Sequence, residues 1–325
     1  MLLTDFPLTE RAVAPLLVSV LVVNFNGERH LPACLTALER QTLPRYQYEV
    51  ILVDNASADG SVDLVRKSFP WVRRVALGRN TGFAEGNNVA ARFAHGRTLV
   101  LLNNDTIPDP YFLEELIRAA GENPDGMAAA KMVFAHDPTI INSTGLFLLR
   151  DGRGADRGFR QPDAGQFEAA GPVFAGCGGA VLLPAPVAGE PLFNPRYFVY
   201  YEDLDAGWRA RRAGRGPDYA PRALVRHVHG AAAGDESPLF AFCVERNRAL
   251  TSLRNGDPFL ATSAGLVLFA KVVQAVVRAL IGRGGRWPIA RAVAGAAASY
   301  LWYAPAVLIE RYDRGVRPPR ARAGH

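Results

Sequence analysis

Three observations predict an α/β chain built on a doubly wound, mostly parallel sheet with helices on both faces and a C-terminal helical appendage. Short apolar runs alternate with amphipathic stretches through the first half of the chain. The runs are continuous rather than alternating, as in strands buried on both faces. Beyond about Pro238 the strand-like runs give way to long helical patterns.

Residues 18–23 and 50–53 are the first two apolar runs, and each leads through a polar turn into an amphipathic segment, 31–40 and 61–69. Residues 72–77 and 98–102 read as two further strands with a helix over 84–93 between them. Pro110 then opens a helix over 111–120, where proline suits the first turn. Such strand–helix alternation implies parallel strands joined by helical crossovers. From 135 to 171 the pattern loosens into Gly, Asp and Arg, read as irregular loops or a small antiparallel excursion. Order returns at 176–183, a helix is expected over 203–213, and a strand over 223–228 closes the domain. The division expected is a tail over 1–16, a catalytic domain over 17–237 and a helical, membrane-associating or docking region over 238–325.

Composition excludes disorder: 49% of the 325 residues are apolar and 21% charged. Three scattered cysteines, Cys34, Cys177 and Cys243, fit neither a metal spacing nor a disulfide framework and suit a reducing compartment. Asp5 and Glu10 stand where a leader would be basic, so no secretory leader is expected. The net charge is +6, and the stretch from Arg311 to Arg322 carries five arginines against one aspartate. Such a tail suits anionic lipid or open solvent equally. Residues 259–270 are uncharged but Lys271 and Arg278 break the run, and 292–309 is uncharged but rich in Ala and Gly. A spanning helix needs about 20 strongly apolar residues. Helices lying on the membrane or docked on the catalytic domain are therefore expected, at the cytosolic face of the inner membrane, with a true span left open.

In open α/β sheets ligands bind beyond the carboxyl ends of the strands. There the chain places Asn24-Phe25-Asn26-Gly27, then Asp54-Asn55-Ala56-Ser57, then Asn103-Asn104-Asp105, and before the third helix Asn80-Thr81-Gly82-Phe83, followed by Asn87. A dinucleotide site needs G-x-G-x-x-G after the first strand, and Asn24 to Gly27 offers one glycine. Asp54 suits the imide N–H of uracil or thymine, Asn26 and Asn80 suit ribose or phosphate oxygens, and Asp105 suits Mn²⁺ or Mg²⁺ shared with substrate phosphates. Asp and Asn also favour such turns for purely local reasons. In Glu202-Asp203-Leu204-Asp205, three carboxylates in four positions repel one another, and such crowding raises a pKa toward that of a working base. Asp205 and Arg209 can pair at i, i+4, which would leave an acidic helix start as the plain alternative. His227 and His229 would share one face of a strand, where one of them can ligate a metal.

These residues carry a resemblance. Val22-Val23-Asn24-Phe25-Asn26, Val53-Asp54-Asn55-Ala56-Ser57, Asn80-Thr81-Gly82-Phe83-Ala84, Leu101-Leu102-Asn103-Asn104-Asp105, Tyr201-Glu202-Asp203-Leu204-Asp205 and His227 follow one another in the order found in family 2 glycosyltransferases of GT-A fold. The chain resembles most their bacterial rhamnosyltransferase-like branch, over about residues 18–254. The resemblance implies an inverting, metal-dependent hexosyltransferase. It would move rhamnose or another hexose from a dTDP- or UDP-sugar to a glycan or polyprenyl-linked saccharide in cell-surface polysaccharide synthesis, with no nucleic-acid partner.

The resemblance also implies roles. Asp203 is the base, with Glu202 beside it. Asn24, Asn26, Asp54, Asn80, Gly82, Phe83, Asn87, Asn103 and Asn104 line the nucleotide-sugar, and Gly178, Gly179, Asp205 and Trp208 lie toward the acceptor. Asp105 and His227 hold the metal, with His229 the lesser candidate. The family's D-x-D motif has Asn103 in its first position here, which weakens the metal site. The rival readings are a nucleotidyltransferase, which lacks its basic Gly-rich loop after the first strand, and a non-catalytic nucleotide- or glycan-binding module, which would have no use for Asp203.

Overall fold

The computed structural model describes residues 17–121, 125–169, 171–186, 190–228, 237–282 and 287–316. The chain divides into two compact units. Of the described residues, the first unit takes 17–147, 156–211 and 215–228; the second takes 148–155, 212–214 and everything from 237 onward.

The first unit opens as expected. β1 (Val18–Asn24), α1 (Leu31–Glu39), β2 (Tyr48–Asp54), α2 (Ser61–Ser68), β3 (Arg73–Ala76), α3 (Gly82–Arg92) and β4 (Thr98–Leu102) follow in turn, then β5 (Thr106–Pro108) and α4 (Phe112–Ala120). β1 lies parallel to both β2 and β4, and β2 parallel to β3. Alternate residues serve the two faces. Val18, Val20 and Val22 join Leu31, Leu35 and Leu38 of α1, Val65 of α2 and Leu113 and Leu116 of α4 in one core. α3 packs against β1 and β2, with Gly86 set close against Val23.

The remainder of the sheet is mixed. β6 (Ala128–Phe134), β7 (Ile141–Ser143), β8 (Leu146–Leu148), β9 (Gly154–Asp156), β10 (Gly171–Pro172), β11 (Ala180–Pro184), α5 (Glu202–Arg212) and β12 (Asp218–His227) complete the order. β11 is antiparallel to its neighbours β4 and β6, while β6 and β12 run parallel. The main path is β10-β12-β6-β11-β4-β1-β2-β3. β6 has no counterpart in the sequence reading, because three alanines favour helix and Lys131 interrupts the apolar run. The structure buries that lysine and pairs it with Asp163 at 2.6 Å and Glu168 at 2.5 Å. β12 begins at Asp218, earlier than residue 223, across a register shift between Ala220 and Leu224. Pro221 lies in that irregularity, as proline in a strand should. The loosened stretch does hold an antiparallel element, the two-stranded β8–β9 sheet.

The second unit contains α6 (Pro238–Asn255), α7 (Pro258–Ile281) and α8 (Trp287–Val316), each packed on the other two. Ser237 and Asp257 cap α6 and α7 through side-chain bonds to the third helical N–H. α7 and α8 are both long and apolar enough to cross a membrane, with 22% and 28% of their apolar windows buried. For α7 this corrects the sequence expectation: Lys271 and Arg278 do not stop the run, because the apolar stretch resumes around them. The tail over 1–16, His229 and the last arginines beyond 316 lie outside the described residues.

Candidate active site

The strand order reverses between β4 and β1, so the crevice at their carboxyl ends is the expected ligand position. The side chains there form one network. Asn24, fully buried, donates from Nδ2 to Asp54 Oδ1 at 3.0 Å and accepts from Asn104 Nδ2 at 2.7 Å. Parallel pairing of Asn24 with Asp54 dictates the first contact. Gly27 lies so close to Asn24 and Asn104 that a Cβ there would displace both.

Asp54 also accepts from the Ser57 hydroxyl at 2.6 Å and the Ser57 amide at 3.0 Å. A carboxylate offers about four acceptor positions, so one stays open for a ligand N–H. Asn26, at φ 52°, donates its amide to Ser57 at 2.8 Å and accepts from the Ala58 amide at 2.8 Å. Its side chain orders the loop rather than standing free. Asn55 was not singled out by itself in the sequence, yet it fastens β2 to the head of α3. Buried, it accepts from the Thr81 amide at 2.8 Å and donates to the Gly82 carbonyl at 2.9 Å. Asn80 accepts from the Gly82 amide at 2.9 Å. Asn87 donates to the Phe83 carbonyl at 2.9 Å, and its Oδ1 is buried without a partner.

Gly82 sits at φ +82°, and a Cβ there would collide with the carbonyl of Phe198. Gly82→Ala is expected to cost about 2 kcal/mol through left-handed strain and that clash. Urea unfolding of the full chain measures it; a loss within experimental scatter would show that the loop yields freely.

Asp105 and His227 meet because β5 begins directly after Asp105 and pairs with β12 so that Thr106 lies opposite His227. The Val228 amide donates to the Asp105 carbonyl at 2.9 Å. His227 Nε2 is 3.2 Å from Asp105 Oδ1, and its Nδ1 is 2.9 Å from Asn142 Oδ1. Burial opposes charge on Asp105, but the His227 hydrogen bond and the charges of His227 and His30 prevail and hold its carboxyl below the usual range. Donation of Nδ1–H to Asn142 would leave the Nε2 lone pair for a cation in place of the Asp105 hydrogen bond, the usual support of a metal-binding imidazole. Among the described residues no cluster of three or more His, Cys, Asp or Glu side chains could hold a metal. The pair thus fits a cation that draws its other ligands from phosphate and water. Asn142 falls in the stretch without periodic signal, so no local pattern points to it.

The third group lies at the start of α5. Tyr200 and Tyr201 both hold positive φ, 71° and 73°, a strained approach for non-glycine residues. Asp203 Oδ2 accepts from the Gly178 amide at 2.9 Å and Oδ1 from the Leu204 amide at 2.7 Å. Gly178 has just room for Phe83 and Asp203 beside it, and Gly179 adjoins Met132 and Asn103. Burial raises the pKa of Asp203 despite the two amides. Glu202 is buried with Oε2 unpartnered; burial, then the Asp203 charge, push its carboxyl well above the carboxylate range. Asp205, expected toward the acceptor, is instead fully buried and bound to Arg209 Nε at 3.0 Å. That i, i+4 pair braces α5, and Trp208 packs edge-on against Phe174 with centroids 5.6 Å apart.

The curled, mostly parallel sheet and its flanking helices are those of a GT-A glycosyltransferase. Residues 19–170 match the family model described as glycosyl transferase family 2. An uncharacterized glycosyltransferase of Haemophilus influenzae is 33% identical over 34% of this chain and 36% of its own length. The N-acetylglucosaminyl-diphospho-decaprenol L-rhamnosyltransferase of Mycobacterium tuberculosis is 27% identical over 64% of this chain and 75% of its own. The chain spans 31–36% of the first three curated relatives it matches. In fold the chain is similar to GalNAc-T7, solved with UDP, GalNAc and Mn²⁺, at a TM-score of 0.62 and 15% identity over 95% of this chain and 59% of that one.

Proposed function

We propose that the chain is an inverting, metal-dependent glycosyltransferase that moves a hexose, rhamnose among the candidates, from a dTDP- or UDP-sugar to a hydroxyl of a glycan or polyprenyl-linked saccharide. The observation that carries this reading is the convergence at one sheet edge of an open acceptor position on Asp54, the Asp105–His227 pair, and Asp203 held on the Gly178 amide. The mycobacterial relative, whose acceptor is named as a decaprenol-linked sugar, supports the acceptor class.

Asp54 takes the imide N–H of the base, with Asn24 and Ser57 fixing its carboxylate. Asn26, Asn80, Gly82, Phe83, Asn87, Asn103 and Asn104 shape the nucleotide-sugar crevice, and Gly178 and Gly179 let the acceptor approach backbone closely. Asp105 and His227 hold Mn²⁺ or Mg²⁺, which when bound neutralises charge on the departing diphosphate. Asp203 takes the proton of the acceptor hydroxyl as its oxygen bonds to the anomeric carbon. The bond to diphosphate breaks on the opposite face, so one displacement inverts the centre. Calorimetry with UDP, dTDP, GDP and CDP, each with and without Mn²⁺, tests the donor site. Metal-dependent binding of UDP or dTDP is expected; silence from every diphosphate at millimolar concentration would reject it.

The second unit supports a membrane-surface role. α7 exposes Leu266, Phe269, Val273, Val277 and Leu280, a stripe at helical spacing, while α6 buries Asn247, Arg248, Thr251 and Ser252. Water-exposed apolar stripes of this size mark an interaction face, and apolar-out, polar-in packing suits lipid. Sedimentation with anionic liposomes is expected to carry down the full chain and to fail after deletion beyond Pro238. Equal binding by the truncated chain would refute the assignment.

A further inference from the structure

The approach to α5, residues 192–201, has no regular secondary structure, yet side chains and amides of α3 and α5 pin its backbone. Asn88, buried on α3, holds both main-chain groups of Phe193. Its Nδ2 donates to the carbonyl at 3.0 Å and its Oδ1 accepts from the amide at 2.8 Å. Nδ2 also donates to Glu85 Oε2 at 3.1 Å, and Arg92 holds the other oxygen of Glu85 at 2.6 Å. Arg209 Nη2 donates to the Leu192 carbonyl at 3.0 Å, and the Ala84 amide to the Phe198 carbonyl at 3.3 Å. Tyr200 and Tyr201 come next, both in the left-handed region, and lead directly into Glu202 and Asp203. A second route runs through rings. Phe193 lies against Phe83 with centroids 6.3 Å apart, and Phe83 Cε1 stands 3.3 Å from where a Cβ on Gly178 would lie. The Gly178 amide holds Asp203 Oδ2 at 2.9 Å.

We infer that Asn88 is a positioning residue for Asp203, acting through Phe193 on both the strained entry to α5 and the ring packed behind Gly178. The inference rests on the reading of Asp203 as the base. Its physical ground is over-determination. Two consecutive non-glycine residues at positive φ cost free energy and persist only where the surrounding structure holds them. The pinned segment 192–198 is part of that hold, and Asn88 supplies two of its bonds from a regular helix. A side-chain amide suits the task because it offers a donor and an acceptor side by side, as a neighbouring strand would. Alanine at 88 strips the buried Phe193 amide and carbonyl of these partners, which costs more than the bonds alone. Opening of the segment relieves that cost, and Phe193 then draws away from Phe83. Asp203 loses its fixed place against the Gly178 amide, and a base so displaced is a poor one. The Asn24–Asp54–Ser57 network lies outside this chain of contacts, so the donor site stays as it is.

Amide hydrogen exchange on the full chain, followed by NMR, tests this without any substrate. In Asn88→Ala the Gly178 and Leu204 amides, both bound to Asp203, are expected to lose roughly tenfold more protection than the amide of Leu101 in β4, which reports global unfolding. The Ser57 amide, held by Asp54 at 3.0 Å, is expected to follow Leu101. Equal losses at Gly178, Leu204 and Leu101, or no loss at the first two, overturn the inference and leave Asn88 a stitch in the fold. Should the variant not fold, the native chain decides the matter in exchange followed against urea. The Phe193, Gly178 and Leu204 amides are then expected to open in one step below global unfolding, and separate openings overturn the inference. Failure of the base assignment registers separately, as near-native turnover of Asp203→Asn with the exchange result intact.

Discussion

Replacing Asp203 with asparagine is expected to lower turnover roughly 10²- to 10⁴-fold, the usual contribution of a general base, while nucleotide affinity stays near native. The two effects separate because Asp203 stands on α5, apart from the Asn24–Asp54–Ser57 network that would hold the base. Asp203 rather than Glu202 is assigned the role on hydrogen bonding. The amides of Gly178 and Leu204 favour the charged form of Asp203, whereas Glu202 has an orphaned oxygen and favours its neutral form. Glu202→Gln, which mimics that neutral acid, is accordingly expected to cost no more than several-fold. The raised pKa of Asp203 also fixes the sign of the pH profile. The base must be ionised, so activity is full at alkaline pH and falls as pH drops through a midpoint above the ordinary carboxylate range. Turnover of Asp203→Asn within a few-fold of native, or a larger loss in Glu202→Gln, would remove the assignment.

The parallel half of the fold was legible because each strand there is a short apolar run bounded by Asn, Asp or Gly, and each helix follows at once. β4 matches its expected span residue for residue, and β1 and α1 come within one residue. The mixed half was legible in part: the order expected at 176–183, the helix over 203–213 and the strand over 223–228 correspond to β11, α5 and the end of β12, and what was missed there is tertiary. β6 needs a partner acid for Lys131, supplied by Asp163 and Glu168 more than 30 positions away. β12 needs a register shift around Pro221. Both depend on contacts that no local window contains.

The site divides in the same way. Residues at or just beyond strand ends, such as Asn24, Asp54 and Asp105, announce themselves by position, because polar groups there in a buried sheet require a reason. Their supports do not. Asn142 under His227 comes from a stretch with no periodicity, and only the folded chain brings it in. Asp205 was legible in one respect: its i, i+4 pair with Arg209 forms as the spacing allows, whereas its complete burial has no local sign.

The metal-dependent part of nucleotide affinity is expected to vanish in Asp105→Ala, a loss of roughly 10²-fold measured by calorimetry with and without Mn²⁺. Removing a residue that merely supports a ligand typically costs 10- to 100-fold, so removing the carboxylate itself belongs at the upper end. The pair offers one carboxylate and one imidazole, with Asn103 standing where a second acid would add charge. Electrostatic attraction to a divalent ion is therefore modest and relies on the substrate's phosphates, which makes Asp105 hard to replace. Asp105→Ala also leaves His227 without its 3.2 Å partner, while its bond to Asn142 stays. His227→Ala is expected to weaken metal-dependent binding less, because it removes a neutral ligand and leaves the charge. Asn103→Asp should act the opposite way and tighten Mn²⁺ binding by adding the missing carboxylate beside the crevice. If Asp105→Ala binds nucleotide with undiminished metal dependence, the cation lies elsewhere and the Asp105–His227 pair is a structural clasp between β5 and β12.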